Sequence, residues 1–147
     1  MSRLSTVFML MHLIGLALGI GVATVKVALV LGIRANEALL PAYLQVAKVL
    51  TRHIVLGLVL LTLSGLGWML LGYPLTARLA TKLVLVALVW LIGPVIDMVV
   101  EPRMRALAPV AGVSFTPAYA SARNQYLALE LVATGLFYAI VVLWVIA

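Results

Sequence analysis

Four ionisable residues lie in or beside long apolar stretches of the sequence: Lys26, His53, Asp97 and Glu130. A lysine or aspartate at the centre of a membrane-spanning helix costs about 2.5–3.5 kcal/mol on insertion scales. Residues of this kind therefore face the interior of a helix bundle, pair with each other, or take part in function. Two interpretations follow. The residues form a polar site that relays protons, or Lys26 forms a salt bridge with Asp97 or Glu130 that fixes the register of the helices.

The predicted depths of these side chains place them on the same side of the membrane. With a rise of about 1.5 Å per residue, Lys26 lies about 12 Å from the inner boundary, which Arg34 marks. The same arithmetic places Asp97 about 6 Å and Glu130 about 8 Å inside that boundary. His53 stands at the inner end of its own apolar stretch. The four residues are therefore predicted to form one polar cluster in the inner half of the membrane.

A second candidate site involves His12 and Lys82. His12 opens a stripe of small residues at helical spacing, which continues through Gly15, Gly19 and Ala23. Small residues on one face allow either a neighbouring helix or a flat porphyrin ring to approach closely. The stripe thus predicts tight helix packing or, alternatively, a place for a tetrapyrrole.

His12 and His53 are not expected to ligate one iron. They are predicted near opposite ends of their helices, on the order of 25–30 Å apart along the membrane normal. Lys82 is predicted on the same outer side as His12, and a neutral lysine amine can coordinate iron when burial disfavours its charged form. The alternative role of Lys82 is an interfacial anchor whose ammonium group extends to the lipid headgroups.

Methionine offers a further possibility near the outer end, where Met9, Met11 and Met69 accompany His12. Thioether and imidazole ligands suit Cu(I), so this group predicts a route for copper. The alternative is that these flexible side chains only fill space in an apolar core.

Composition limits the class of protein. Of 147 residues, 66% are hydrophobic and 10% are charged, too few to cover a soluble domain. The chain contains no cysteine, which excludes disulfides, iron–sulfur clusters and thiolate metal sites. The net charge of +6 comes from basic residues mostly at the ends of the apolar stretches. Such residues meet anionic headgroups, so the lipid bilayer is the expected partner, and nucleic acid is not.

Hydropathy predicts an all-α, four-transmembrane-helix bundle that forms a single integral membrane domain over residues 1–147. The predicted spans cover about residues 7–33, 50–71, 80–100 and 126–146. Residues 41–48 are predicted to form an interfacial turn, and residues 101–125 the longest connection. The second span is expected to end at Gly72-Tyr73-Pro74, a stop signal. Pro94 lies inside the third span and should kink it near Trp90.

The distribution of lysine and arginine predicts the orientation. One side carries Arg34, Lys48, Arg52, Arg103, Arg105 and Arg123, and the other carries Arg3, Arg78 and Lys82. The positive-inside rule therefore places both termini outside. For a bacterial host, this means a multi-pass protein of the cell inner membrane with periplasmic termini.

Three short motifs resemble those of known small bacterial four-helix membrane proteins. They are His12-Leu13-Ile14-Gly15 in the first span, Ser64-Gly65-Leu66 in the second and Lys82-Leu83-Val84-Leu85-Val86 in the third. The chain is similar in these motifs to the heme-dependent membrane protoporphyrinogen IX oxidases and to the copper-resistance D type membrane proteins. The resemblance implies a heme b with His12 and Lys82 as its axial iron ligands.

Several functions therefore remain open at the level of sequence. The leading expectation is a membrane protein, and as an enzyme a heme-dependent oxidoreductase, that binds a b-type heme or porphyrin for redox or tetrapyrrole chemistry, with a membrane redox partner or as a homo-oligomer. The alternative is a non-enzymatic transport component or accessory subunit that depends on Lys26, Asp97 and Glu130. Passage of copper is a third option.

Overall fold

The computed structural model describes residues 3–109 and 115–145, and almost all of this part of the chain is helical. Four helices are long and apolar enough to cross a membrane: α1 (Arg3–Ala35), α2 (Glu37–Leu70), α3 (Ala77–Ala106) and α4 (Pro117–Val145). The described residues contain no strand. These findings confirm the predicted all-α, four-helix fold of a multi-pass membrane protein.

Local signals set the ends of the helices. The side chain of Asn36 accepts a hydrogen bond from the backbone of Ala38 at 3.1 Å where α2 begins. The Thr76 hydroxyl accepts one from the backbone of Leu79 at 3.2 Å where α3 begins. Such caps satisfy backbone donors that have no partner within the helix. Gly72, with a φ of 87°, follows the end of α2, as the predicted stop signal requires.

The helices extend further at the inner end than hydropathy indicates. The predicted interfacial turn at residues 41–48 is wrong, because this segment is the beginning of α2. Residues 101–106 continue α3, and residues 117–125 open α4, so the predicted long connection is also mostly helical. Pro41 does not interrupt α2, since a proline in the first turn removes no helical hydrogen bond. Residues 110–114 of that connection lie outside the described residues.

Two π-helical turns interrupt the long helices. One, Ala17–Gly21, lies in α1, and the other, Ile96–Val100, lies in α3 directly after Pro94. Proline cannot donate a backbone hydrogen bond, which accounts for irregular winding beside it. Such turns often occur at functional sites, and the turn in α3 contains Asp97.

Glycines allow α1 and α2 to approach closely. A Cβ atom added to Gly15 would lie 2.9 Å from the carbonyl oxygen of Gly57, and one added to Gly67 would meet the ring of Phe8 at 2.5 Å. The stripe of small residues on α1 is therefore filled at Gly15 by the backbone of α2, and at Gly19 by the ring of Phe137 of α4, which an added Cβ atom would meet at 3.3 Å. Of the two alternatives for the stripe, helix packing is the one observed there.

The helices do not all pack against each other equally. α1 packs on α2 and on α4, and α4 packs on α3, whereas the backbones of α2 and α3 lie further apart along the described residues and meet through side chains, such as Trp90, which donates to the Thr62 hydroxyl at 3.1 Å. The larger part of the core lies at the inner end of the bundle, around Tyr43, Tyr119 and Tyr126. The polar residues of the predicted cluster lie directly above this core.

Candidate functional site: a buried charge network

Lys26 is the centre of a group of ionic contacts in the bundle interior. Its ammonium nitrogen lies 2.6 Å from Oε1 of Glu130, 3.7 Å from Oε2 of Glu101 and 4.0 Å from Oδ1 of Asp97. It also donates a hydrogen bond of 2.7 Å to the Thr51 hydroxyl. The Lys26 side chain is only 2% exposed. Each of the other three helices therefore contributes at least one side chain to its surroundings.

Arg105 extends this group towards the inner end of α3. Its guanidinium group contacts Oε1 of Glu101 through Nε at 2.8 Å and through the NH2 nitrogen at 2.7 Å. It also donates a hydrogen bond of 2.9 Å to the Leu44 carbonyl of α2. We call the group the charge network; its members are Lys26, Thr51, Asp97, Glu101, Arg105 and Glu130.

Helical spacing explains how α3 presents its three members together. Asp97, Glu101 and Arg105 follow each other at intervals of four residues, so their side chains lie along one face of the helix. The neighbouring Ile96 and Val100 are buried in the core. Packing of that face against α1 and α4 brings the carboxylates to Lys26.

Two buried tyrosines border the network. The hydroxyl groups of Tyr43 and Tyr126 lie 2.5 Å apart, and the Tyr126 hydroxyl donates to Oε2 of Glu101 at 3.5 Å. The Lys26 ammonium group lies 5.4 Å from the centre of the Tyr126 ring, within the range of a cation–π contact. The tyrosines thus solvate the charges from the inner side, where no lipid headgroup reaches them.

Carboxylates outnumber the cations that contact them. The charge network contains three carboxylates, of Asp97, Glu101 and Glu130, and two cations, Lys26 and Arg105. With every group ionised, one negative charge has no counterpart. An unbalanced charge in a low-dielectric interior costs several kcal/mol. One more positive charge would therefore balance the charge network.

His53 does not belong to the network, contrary to the prediction that grouped it with Lys26. Its side chain is exposed on the surface of α2, and Nδ1 forms a hydrogen bond of 2.8 Å with the Val49 carbonyl one turn earlier. Thr51, two residues before it, faces the bundle interior instead. Residues two apart on a helix point in different directions, so only one of them can reach Lys26.

Sequence inspection missed Glu101 and Arg105 because the Glu101-Pro102-Arg103 segment looks like the end of a span. A signal was nevertheless present, because Glu101 and Arg105 follow Asp97 at two successive intervals of four residues. Thr51 and the two tyrosines carry no such signal, since polar but uncharged residues are common at the ends of spans.

The structure places His12 at a separate position, towards the outer ends of α1 and α2. Nδ1 of His12 lies 2.9 Å from the hydroxyl of Ser64, which is fully buried and donates to the Leu61 carbonyl at 3.0 Å. A serine hydroxyl has one hydrogen, so it accepts from Nδ1–H of His12. The neutral imidazole then carries its free electron pair on Nε2, the atom that can bind a metal.

Lys82 lies close enough to His12 for its charge to act on the imidazole, and its side chain is partly exposed. His12 is fourteen residues before Lys26, about 21 Å along α1, so the two candidate sites are separate. Among the described residues, no three His, Cys, Asp or Glu side chains are placed to hold a metal ion.

Fold and site together define the class of protein: a four-helix integral membrane bundle with a buried network of charges in the half that lies away from the beginning of α1. Comparisons with protein-family models, with curated proteins and with solved structures found no match to this chain.

Proposed function

We propose that this protein is a membrane transport component in which the charge network carries protons. The observation behind the proposal is an unbroken series of polar contacts with partly exposed ends. Asp97 is 30% exposed at one end, and Lys26 and Glu101 are 2% and 9% exposed; at the other end Glu101 contacts Arg105, a permanent cation that is 32% exposed and passes on no proton itself. The two ends are eight residues apart on α3, so the path extends about 12 Å along the helix.

Hydrogen-bond directions along this path suit proton transfer. Lys26 donates to the Thr51 hydroxyl, and the Thr51 hydroxyl donates to Asp97 at 3.5 Å. Beyond Lys26 lie the carboxylates of Glu130 and Glu101. Since one negative charge is uncompensated, one proton shared among the three carboxyl groups makes the network neutral. A shared proton can occupy different carboxyl groups, which is the property required of a relay.

A purely structural role explains fewer of these contacts than proton transfer does. One buried pair, Lys26 with Glu130, is enough to fix the register of two helices. Asp97 then adds a partly exposed negative charge that contributes little to register. The predicted orientation, with both termini outside, assigns the network to the cytoplasmic half of an inner membrane. In that orientation Arg105 marks the cytoplasmic end of the path.

Proton flux into proteoliposomes tests the proposal. A potassium gradient with valinomycin supplies the membrane potential, and a trapped pH-sensitive dye reports proton entry. The unaltered protein should acidify the vesicles faster than protein-free liposomes do. Glu101→Gln should reduce the flux to the protein-free level, because it removes the carboxylate between Lys26 and Arg105. Glu37→Gln is the matched control, since this glutamate is exposed and lies outside the network.

Equal flux in protein-free and protein-containing vesicles would refute the proposal. So would a Glu101→Gln protein that is folded and conducts as the unaltered protein does. Thermal unfolding of each variant in the same lipid distinguishes loss of conduction from loss of the fold.

We propose, as a second candidate, that His12 ligates the iron of a heme b with Lys82 as the other ligand. The hydrogen bond that Nδ1 of His12 donates to Ser64 supports it, because it leaves Nε2 of His12 available and orients the ring. The ring would have to lie beside the α1–α2 interface, since α2 and Phe137 fill the stripe of small residues. A bound heme would supply one-electron redox chemistry there.

An absorption spectrum of protein expressed with sufficient heme tests this second candidate. A Soret band is expected, and it should weaken strongly in His12→Ala but not in His53→Ala. A colourless protein, or equal bands in the two variants, would exclude His12 as a heme ligand.

A further inference from the structure

A cleft between α2 and α3 leads to the charge network from the side of the membrane. It contains a cavity of about 60 Å³, to which all four helices contribute. The apolar walls are formed by Ile54, Val55, Leu58, Val89, Gly93 and Phe137. Val55 of α2 and Asp97 of α3 both line the cavity and are 42% and 30% exposed, so it opens between these two membrane-spanning helices. A ligand with an apolar chain can therefore enter here from the lipid.

The polar end of the cavity presents mainly negative charge. Lys26, Asp97 and Glu130 all line it, but their side chains differ in exposure. Asp97 is 30% exposed, whereas Lys26 and Glu130 are 2% and 5% exposed and already contact each other. An incoming molecule therefore meets the Asp97 carboxylate first. Together with the uncompensated charge of the network, this accessibility favours a cation.

Thr134 provides an independent indication that a polar group belongs in the cavity. This residue lines the cavity and is 6% exposed. Among the described residues its hydroxyl oxygen has no hydrogen-bond partner. An unpaired buried hydroxyl is unfavourable, and a ligand with hydrogen-bond donors would supply the missing partner. An ammonium group has three such donors and no acceptor, so it suits a carboxylate and a hydroxyl oxygen.

The size of the cavity limits the group that it accepts. A cavity of about 150 Å³ holds benzene, so one of about 60 Å³ has room for a small head group with one or two carbons. A primary ammonium group fits, and a quaternary group with three methyl substituents does not. The rest of the ligand must remain among the acyl chains, in contact with Val55, which is 42% exposed.

We propose that the cleft binds the ammonium head of a lipophilic primary amine, with Asp97 and Thr134 as its hydrogen-bond acceptors. The proposal rests on the transport function above, because it names the substrate class of that same site. The bound ammonium group supplies the positive charge that the network lacks, so it replaces the shared proton.

Binding of radiolabelled hexylammonium to the protein in lipid nanodiscs tests the proposal, with empty nanodiscs as the reference for partition into lipid. Saturable binding is expected for the unaltered protein. Asp97→Asn should weaken it by about tenfold or more, the loss expected for a hydrogen bond to a charged group. Unlabelled hexyltrimethylammonium should not compete, and hexanol should compete poorly.

Gly93→Leu provides a second, sterically based variant. A Cβ atom at Gly93 meets nothing within 4 Å, and Gly93 lines the cavity, so the side chain of a leucine there should occupy the space of the ligand. Binding should be lost. Gly135→Leu is the matched control, because Gly135 also has open space but does not line the cavity, and it should bind as the unaltered protein does.

Equal binding by the unaltered protein and folded Asp97→Asn would overturn the proposal, as would unchanged binding by Gly93→Leu. If Asp97→Asn does not fold, Gly93→Leu decides the question. Amine binding without proton flux would refute the transport function but leave the amine site intact. Proton flux without amine binding would do the reverse.

Discussion

Replacement of Lys26 by methionine tests whether the charge network depends on this single cation. Methionine preserves the length and most of the volume of the side chain but removes its charge. Three carboxylates then face only Arg105, so the excess of negative charge rises from one to two. Removal of one partner from a buried ion pair costs about 3–5 kcal/mol, because the other charge stays buried without compensation.

The expected result is a loss of about 3–5 kcal/mol in the free energy of unfolding. Titration with a denaturing detergent in mixed micelles, followed by circular dichroism, measures it. The double variant Lys26→Met/Glu130→Met should recover most of the loss, since it restores the original excess of one negative charge. Lys48→Met is the matched control, and its exposed position predicts a change below about 1 kcal/mol.

The stabilities of the single and double variants together decide whether the reasoning holds. If Lys26→Met costs less than about 1 kcal/mol, the contact with Glu130 carries no buried charge and the reasoning fails. If the single variant is strongly destabilised but the double variant is not rescued, packing around Lys26 rather than charge accounts for the loss.

Two further predictions concern packing and hydrogen bonding, and unfolding in the same micelles measures both. Gly57→Ala should cost about 1–3 kcal/mol, because its Cβ atom would lie 2.8 Å from the carbonyl oxygen of Gly15. Gly65→Ala should not destabilise the protein, because a Cβ atom at Gly65 meets no atom within 4 Å. Equal losses in the two variants would contradict the close approach of α1 to α2. Tyr43→Phe should cost roughly 1–3 kcal/mol, because it removes a buried partner of the Tyr126 hydroxyl, and an unchanged stability would show that this contact contributes nothing.

The extent of the helices shows where hydropathy is a sufficient guide and where it is not. The apolar centres of all four helices are correctly predicted, because lipid requires long runs of apolar residues. The inner ends are not. Residues 101–106 are polar, yet they are helical because Glu101 and Arg105 find partners inside the bundle. A hydropathy profile registers the polarity of such residues but not the partner that compensates it.

The candidate site shows the same division. Lys26, Asp97 and Glu130 stand out in the sequence as charges in apolar surroundings, and the structure brings them together. Glu101 was missed and His53 was wrongly included, because depth along the membrane normal can be counted from the sequence but direction around the helix axis cannot. At the outer end, the hydrogen bond of His12 with Ser64 was likewise beyond prediction.

The hydropathy of the sequence predicts an all-α membrane protein with four spans, since the cost of exposing polar backbone to lipid leaves few other folds. It also singles out the buried charges, because each is an energetic exception. Only the packing of the helices determines which face of each helix meets which. That packing places three carboxylates around Lys26, fills the glycine stripe with α2 and Phe137, and leaves a cleft between α2 and α3.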